Sequence, residues 1–308
     1  TGTLNRVMVV ELGQGTSLVS LMLAIPLLMA PARALIGYRS DHHRSYLGWR
    51  RIPYLWSGTL MQFGGLAFMP FALILMIEPH SGPPIIGPTA AMGSFLLTGL
   101  GMHVSQTAGL ALATDLATEE SRPRVVALLY LMLLVGMISS AVIFAALLDD
   151  FSYVRLIQVI QSAAVITLIL NVAAMWKQEV RHPELTDHER ERPTFGSAWG
   201  EFINLPKARR LLWALGLGTM GFTMQDILLE PYGAHVLGLS VSETTLLTAL
   251  FAGGMVLALL MTSRTLRRGV DPIRLASVGV LIGIVAFVAV ILSAPLQSTG
   301  LFQIGATL

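Results

Sequence analysis

The chain has 308 residues, of which 54% are hydrophobic and 12% charged, with a formal net charge of +2 and no cysteine. Soluble domains carry about 25% charged residues because their surface faces water, so this composition excludes a soluble enzyme, a nucleic-acid binder and a disordered chain. It points to an integral membrane protein, and the lack of cysteine excludes disulfides, thiolate metal sites and cysteine nucleophiles.

A spanning helix needs about 20 mainly apolar residues. In chain order such stretches run Ser17–Ile36, Tyr54–Ile77, Thr89–Thr114, Val125–Leu148, Leu156–Trp176, Leu211–His235, Thr244–Ser263 and Leu275–Ala294. Pro26, Pro31 and Pro70 fall inside them, where neighbouring helices can satisfy the freed carbonyls. Thr1–Val10 reads as the tail of an earlier span and Ser298–Leu308 as the start of a later one. The expected fold is therefore all-α and polytopic, with eight complete spans and two partial ones. Because the chain opens on Thr1 rather than Met and stops inside an apolar stretch, it is expected to be the ordered part of a longer polypeptide.

Basic residues predict the orientation. Of the 20 Lys and Arg residues, all but Arg6 and Arg155 fall on one set of alternate connections. The positive-inside rule makes that side cytoplasmic. The longest polar stretch, Lys177–Arg210, lies on this side and reads as a linker or a plain solvated connection. It divides the sequence into an N-terminal half over 1–176, the linker over 177–210 and a C-terminal half over 211–308. The halves carry a weak repeat. Gly13 precedes Arg39 by 26 residues, Gly238 precedes Arg264 by 26, and the two copies are offset by 225.

The turn after Ile36 reads Gly37-Tyr-Arg-Ser-Asp41-His-His-Arg44-Ser-Tyr-Leu-Gly48-Trp-Arg50-Arg51. Glycines permit the tight reversal. An acid among arginines can pair with them and with helix ends, holding two spans together. This pattern resembles the loop between the second and third helices of the major facilitator superfamily, with Arg264–Asp271 as a degenerate second copy. The resemblance implies a two-half helical bundle in which the complete spans are helices two to nine of twelve.

A closer resemblance rests on Thr3-Leu-Asn5-Arg6, Ala34–Ser45, Gly48–Tyr54 and Gln225-Asp226-Ile-Leu-Leu-Glu230-Pro231-Tyr-Gly. These are similar to the PucC/LhaA group, the bacteriochlorophyll-delivery proteins of purple phototrophs. The resemblance implies an assembly factor for light-harvesting antenna complexes, with bacteriochlorophyll bound transiently. It implies core antenna polypeptides and the reaction centre as partners, alongside membrane lipids and no nucleic acid, in the inner photosynthetic membrane. No enzymatic activity is expected, because the sequence has no phosphate-binding loop, metal-ligand cluster or nucleophile triad.

Polar residues inside spans are costly and mark function by default. In the superfamily, helices one, four, seven and ten line the central cavity. The candidates here are Asn5 and Arg6, then His103, Gln106 and Asp115, then Gln225, Asp226 and Glu230. Asp226 and Glu230 share a helix face, and serve either a proton-coupling site or a network joining the halves. Asp115 belongs with a cytoplasmic gate-like network. Arg6 and Glu230 are expected to form an ion pair at the non-cytoplasmic end. His103, with Gln106 one turn on, either contacts a pigment magnesium or is hydrogen-bonded between packed helices. The rival to the assembly factor is a proton-coupled transporter of a small solute or tetrapyrrole.

Overall fold

The computed structural model describes residues 4–5, 7–77, 83, 85–187 and 192–308. Among these the regular structure is helical. Leu4 and Asn5 are helical, and Val7–Glu11 form a π-helical turn. There follow α1 (Thr16–Leu28), α2 (Ala32–Asp41), α3 (Ile52–Ile77), α4 (Ile86–Leu116), α5 (Arg122–Leu147) and α6 (Tyr153–Met175). A single turn, α7 (Pro183–Thr186), and a short helix, α8 (Phe195–Ile203), lead to α9 (Pro206–Leu237). The chain closes with α10 (Val241–Arg267), α11 (Pro272–Ser293) and α12 (Thr299–Thr307).

Every apolar stretch predicted to span carries a helix. Six segments among the described residues are both long and apolar enough to cross a membrane: Thr16–Asp41, Ile52–Met76, Arg124–Leu147, Tyr153–Met175, Val241–Leu266 and Ile273–Ser293. The chain is a polytopic helical membrane protein. The expectation of eight is met in length but not in apolarity. The remaining helices, α4 and α9, have 31 and 32 residues. Glycine, serine, threonine, His103 and Gln106 dilute the apolar character of α4.

The first predicted span is broken. Pro31 has no N–H to give the Leu27 carbonyl, which instead accepts from Ala30, while Met29 N–H reaches Pro26 O at 3.2 Å. These tight turns separate α1 from α2. The 225-residue offset is repeated in the backbone. Gly13 and Gly238 are both left-handed, at φ +61° and +67°, a conformation glycine adopts without steric cost. Thr16 and Val241 open the next helices three residues after each glycine.

The residues group into two compact units, one of Thr1–Val19, Ala127–Arg155 and Met224–Leu308, the other of Ser20–Val126 and Leu156–Thr223. In the first, Leu229, Leu239, Leu247, Phe302 and Ala306 form a buried cluster. There α12 packs on both α10 and α11, with Gly305 close against the Ala286 carbonyl and Gly254 against Thr307.

In the second unit the seam of α3 and α4 is lined by small residues. A Cβ on Gly58 would lie 2.8 Å from the Gly101 oxygen, and one on Gly65 would lie 2.6 Å from the Thr98 nitrogen. Such residues let helix backbones approach in a membrane, where burial of apolar surface alone gives no drive to associate. Gln62 Nε2 stitches the seam by donating to Gly101 O at 3.2 Å and Ser105 Oγ at 2.9 Å.

Candidate functional site

Several polar residues of the second unit meet at one end of α3. Arg51, only 4% exposed, sits one residue before that helix. Its Nη1 donates to Ser40 Oγ at 2.7 Å, and its Nε and Nη2 reach Asp115 Oδ2 at 3.2 and 3.1 Å. Asp41, at the end of α2, forms an ion pair with the same guanidinium. Arg50 Nη2 adds a longer contact of 3.4 Å to Asp115. One planar fork thus binds the C-terminus of α2, the N-terminus of α3 and the C-terminus of α4, a task that suits arginine and not lysine. The structure therefore brings together Asp41, Arg50, Arg51 and Asp115 of the predicted set.

The helix that Arg51 precedes has no cap residue of its own. Glu179 supplies one from beyond α6. Its Oε1 accepts from Arg50 N at 2.8 Å and Arg51 N at 3.0 Å, and its Oε2 accepts from Ile52 N at 2.8 Å. A carboxylate there satisfies orphan donors and meets the positive end of the helix dipole. Sequence reasoning missed Glu179. The available signal was the missing Ser, Thr, Asp or Asn before Ile52, which implies an acceptor from elsewhere.

Beyond Glu179, the polar stretch after α6 folds onto the turn. Gly48, left-handed at φ +79°, leaves only 3.1 Å between a hypothetical Cβ and His182 N, so it serves both the reversal and the close approach. His182 N–H donates to Gly48 O at 2.9 Å, and Thr186 Oγ1 donates to Ser45 O at 2.7 Å. Arg181 lies over Trp49 at 4.9 Å, within cation–π range. Arg192 donates to the His42 carbonyl, and the Tyr38 hydroxyl donates to the Pro193 carbonyl. Part of the polar stretch Lys177–Arg210 thus latches onto the turn. Burial pushes His43 below the ordinary histidine pKa; Glu179 opposes that shift and Arg192 adds to it. The Glu184 backbone N–H and His182 hold Glu184 below the usual carboxylate value. Arg44 is exposed, and a Cβ on Gly37 would lie an ordinary 3.6 Å from Thr107 Cγ2.

His103 and Gln106 occupy another seam, between α4 and the α1–α2 break. His103 Nε2 meets the Pro26 carbonyl at 3.0 Å, so it carries the hydrogen and Nδ1 holds the lone pair. That Nδ1 is buried and has no hydrogen-bond partner among the described residues. Gln106 Oε1 accepts from Arg33 Nη2 at 2.9 Å, and Arg33 Nε reaches Thr107 Oγ1 at 3.2 Å. A Cβ on Gly99 would press into Pro26. Of the two ring nitrogens, Nε2 is thus engaged by the Pro26 carbonyl and Nδ1 is the one left to meet another group.

In the first unit, Glu230 is buried and its Oε1 accepts from Thr248 Oγ1 at 2.8 Å, linking α9 to α10. Asn5 is also buried. Gln225 and Asp226 lie on α9, with side chains outside the described residues. Arg6 is outside them as well, and with it the expected Arg6–Glu230 pair. Among the described residues no group of three or more His, Cys, Asp or Glu could hold a metal. The described polar network can lock helix ends together.

A family model described as "PUCC protein" matches residues 3–308. The chain is 53% identical to Protein PucC of Rhodovulum sulfidophilum, over 99% of its own length and 68% of that relative. It is likewise 53% identical to an uncharacterized protein in the puhA-bchM intergenic region of Rhodobacter capsulatus, over 98% and 64% of the two chains. Identity to Protein PucC of Rhodobacter capsulatus is 50%, over 98% and 66%. The chain thus spans about two thirds of the length of these curated relatives. With the match running through the latched turn, the α4 seam and the α9–α10 contact alike, the chain belongs to the PucC family.

Proposed function

We propose that this protein is an assembly factor for light-harvesting antenna complexes in the inner membrane of a purple phototroph, delivering bacteriochlorophyll or helping to insert it. Membership of the PucC family over residues 3–308 carries this reading. The long apolar faces fit it: Phe68, Phe71, Leu170 and Ile284 are among many large side chains more than half exposed, open to lipid or to antenna helices. The bacteriochlorophyll is cargo, its partners are core antenna polypeptides and the reaction centre, and the protein catalyses no reaction of its own. The α4 and α9 helices also span, giving eight complete spans in a major-facilitator layout, with an N-terminal half over 1–176 and a C-terminal half over 211–308. The latched turn is cytoplasmic.

Purification in mild detergent followed by absorption spectroscopy tests the proposal. Co-purifying bacteriochlorophyll and antenna polypeptides are the expected result; a colourless preparation and normal antenna yield in a deletion strain would overturn it. His103→Leu gives a site-resolved arm. With the α4 seam closed around Pro26, the variant is expected to keep its pigment and lose thermal stability, and loss of pigment at unchanged stability would make Nδ1 a ligand.

The buried Glu230 favours one second reading, a proton-coupled transporter of a small solute or tetrapyrrole, since intramembrane acids commonly mark proton paths. Proton-linked uptake into vesicles, abolished by Glu230→Gln, would establish that alternative.

A further inference from the structure

The short helix α8 (Phe195–Ile203) has no buried residue, yet its sequence is sharply two-faced. At 100° per residue, Phe195, Ala198, Trp199, Phe202 and Ile203 fall on one side and Gly196, Ser197, Gly200 and Glu201 on the other. The aromatic rings form a continuous ridge, with centroids 6.0 Å apart from Phe195 to Trp199 and again from Trp199 to Phe202. The first ring is docked edge-on against Tyr38 at 5.4 Å. Trp199 and Phe202 are exposed at 38% and 43%, followed by Leu205 at 55%. Thr194 fixes the start of the helix, its Oγ1 accepting from Ser197 N at 3.2 Å, so the ridge is a formed surface.

The neighbouring residues downstream identify the occupant. Asn204 and Leu205 separate α8 from α9, whose first turns carry the exposed Lys207, Arg209 and Arg210. Immediately after them come Leu211, Trp213 and Leu217, at 59%, 68% and 64% exposure. A basic cluster followed by outward apolar residues marks the level at which a helix passes from headgroups into hydrocarbon. Two residues of connection hold α8 close to that level.

We infer that α8 lies in the membrane interface, with Trp199, Phe202 and Leu205 in the headgroup–acyl boundary and Lys207, Arg209 and Arg210 on anionic headgroups. An aromatic face beside cations is the composition that seats a helix on an anionic lipid surface. Docked to Tyr38 at one end, α8 ties the latched turn to the depth of the bilayer. This inference rests on α9 entering the membrane, the eight-span reading above, and is independent of any pigment role.

The cysteine-free chain allows nitroxide labels to be placed one at a time. The full chain carrying Phe202→Cys, Glu201→Cys or Leu217→Cys is reconstituted in vesicles of phosphatidylcholine with phosphatidylglycerol, and collisions with oxygen and with a water-soluble nickel chelate are measured. Position 202 is expected to favour oxygen several-fold over position 201. Adding Arg209→Gln and Arg210→Gln, or omitting phosphatidylglycerol, should shift label 202 toward the chelate. A label at 202 as open to chelate as that at 201 would overturn the inference, leaving α8 in water. One shielded from both reagents would overturn it in favour of a protein partner or a second copy. Position 217 tests the foundation: if it too is open to chelate, α9 does not enter the bilayer and both readings fall, whereas oxygen access at 217 confines any failure to α8.

Discussion

Arg51 and Asp115 meet through a single carboxylate oxygen, with Nε at 3.2 Å and Nη2 at 3.1 Å from Oδ2. The pair joins the start of α3 to the end of α4 while Arg51 also holds Ser40 and Asp41 of α2. Hydrogen bonds to charged groups contribute about 1.5–3 kcal/mol each, less where one partner sees water, and Asp115 is 39% exposed.

Arg51→Lys should therefore cost about 2–3 kcal/mol, because an ammonium cannot serve both acids and Ser40 in one plane. Asp115→Asn should cost about 1 kcal/mol, since the retained oxygen still accepts. Thermal unfolding in detergent measures both. The double variant should lose less than the sum of the two, and strict additivity would show that the contact contributes nothing.

Glu179 caps α3 from a distant part of the chain. Glu179→Gln keeps one acceptor and should cost about 1 kcal/mol, and Glu179→Ala, which keeps none, up to about 2 kcal/mol. The specific readout is hydrogen exchange at the amides of Arg51 and Ile52, which should accelerate in Glu179→Ala. Unchanged protection there would mean that water caps the helix equally well.

The paired glycines separate packing from propensity. Gly65→Ala drives a methyl into Thr98 and the Ser94 carbonyl, whereas Gly64→Ala meets only Leu97 Cδ2 at 3.5 Å. The first should destabilise by about 1–3 kcal/mol, and the second should be neutral or stabilising by up to about 1 kcal/mol, the helix preference of alanine over glycine. Gly254→Ala, pressed onto the Thr307 backbone, and Gly253→Ala, with open space, should repeat the contrast. Equal melting temperatures within either pair would refute the close approach.

His43 gives the turn a pH dependence. Burial lowers its folded pKa, so the unfolded chain binds a proton more readily than the folded one. Stability is then fully present above the ordinary histidine value of about 6.5 and declines as pH falls through the lowered folded value. Melting temperature should drop between neutral and mildly acidic pH, and His43→Gln should flatten that decline. Identical slopes in the two proteins would remove His43 as the cause.

The range of each interaction decided how much of this was legible in the sequence. Apolar runs are local, so all eight predicted stretches carry helices, the first as two pieces and most starting a few residues before the run. The repeat was visible as one spacing and proved to be a backbone property of Gly13 and Gly238. Pro31 was visible as a proline but not as a break, because whether a helix kinks or stops depends on which neighbours take up the freed carbonyls. Glu179, Gln62 and the Arg33–Gln106 bond were out of reach, since each partner lies tens of residues away with no periodicity to connect them. The pairing of His103 with the Pro26 carbonyl was hidden for the same reason.

The Glu179 cap also sets a timetable. A ribosome finishes Ile52 well before it reaches Glu179, and α4, α5 and α6 are synthesised in between. Throughout that interval the leading end of α3 has no protein acceptor from the segment that will close it, and Gly48 has no His182 to receive. The turn that joins α2 to α3 is thus one of the earliest pieces of this unit to be made and among the last to set. A chain released before Glu179 emerges carries the whole motif but not its finished form.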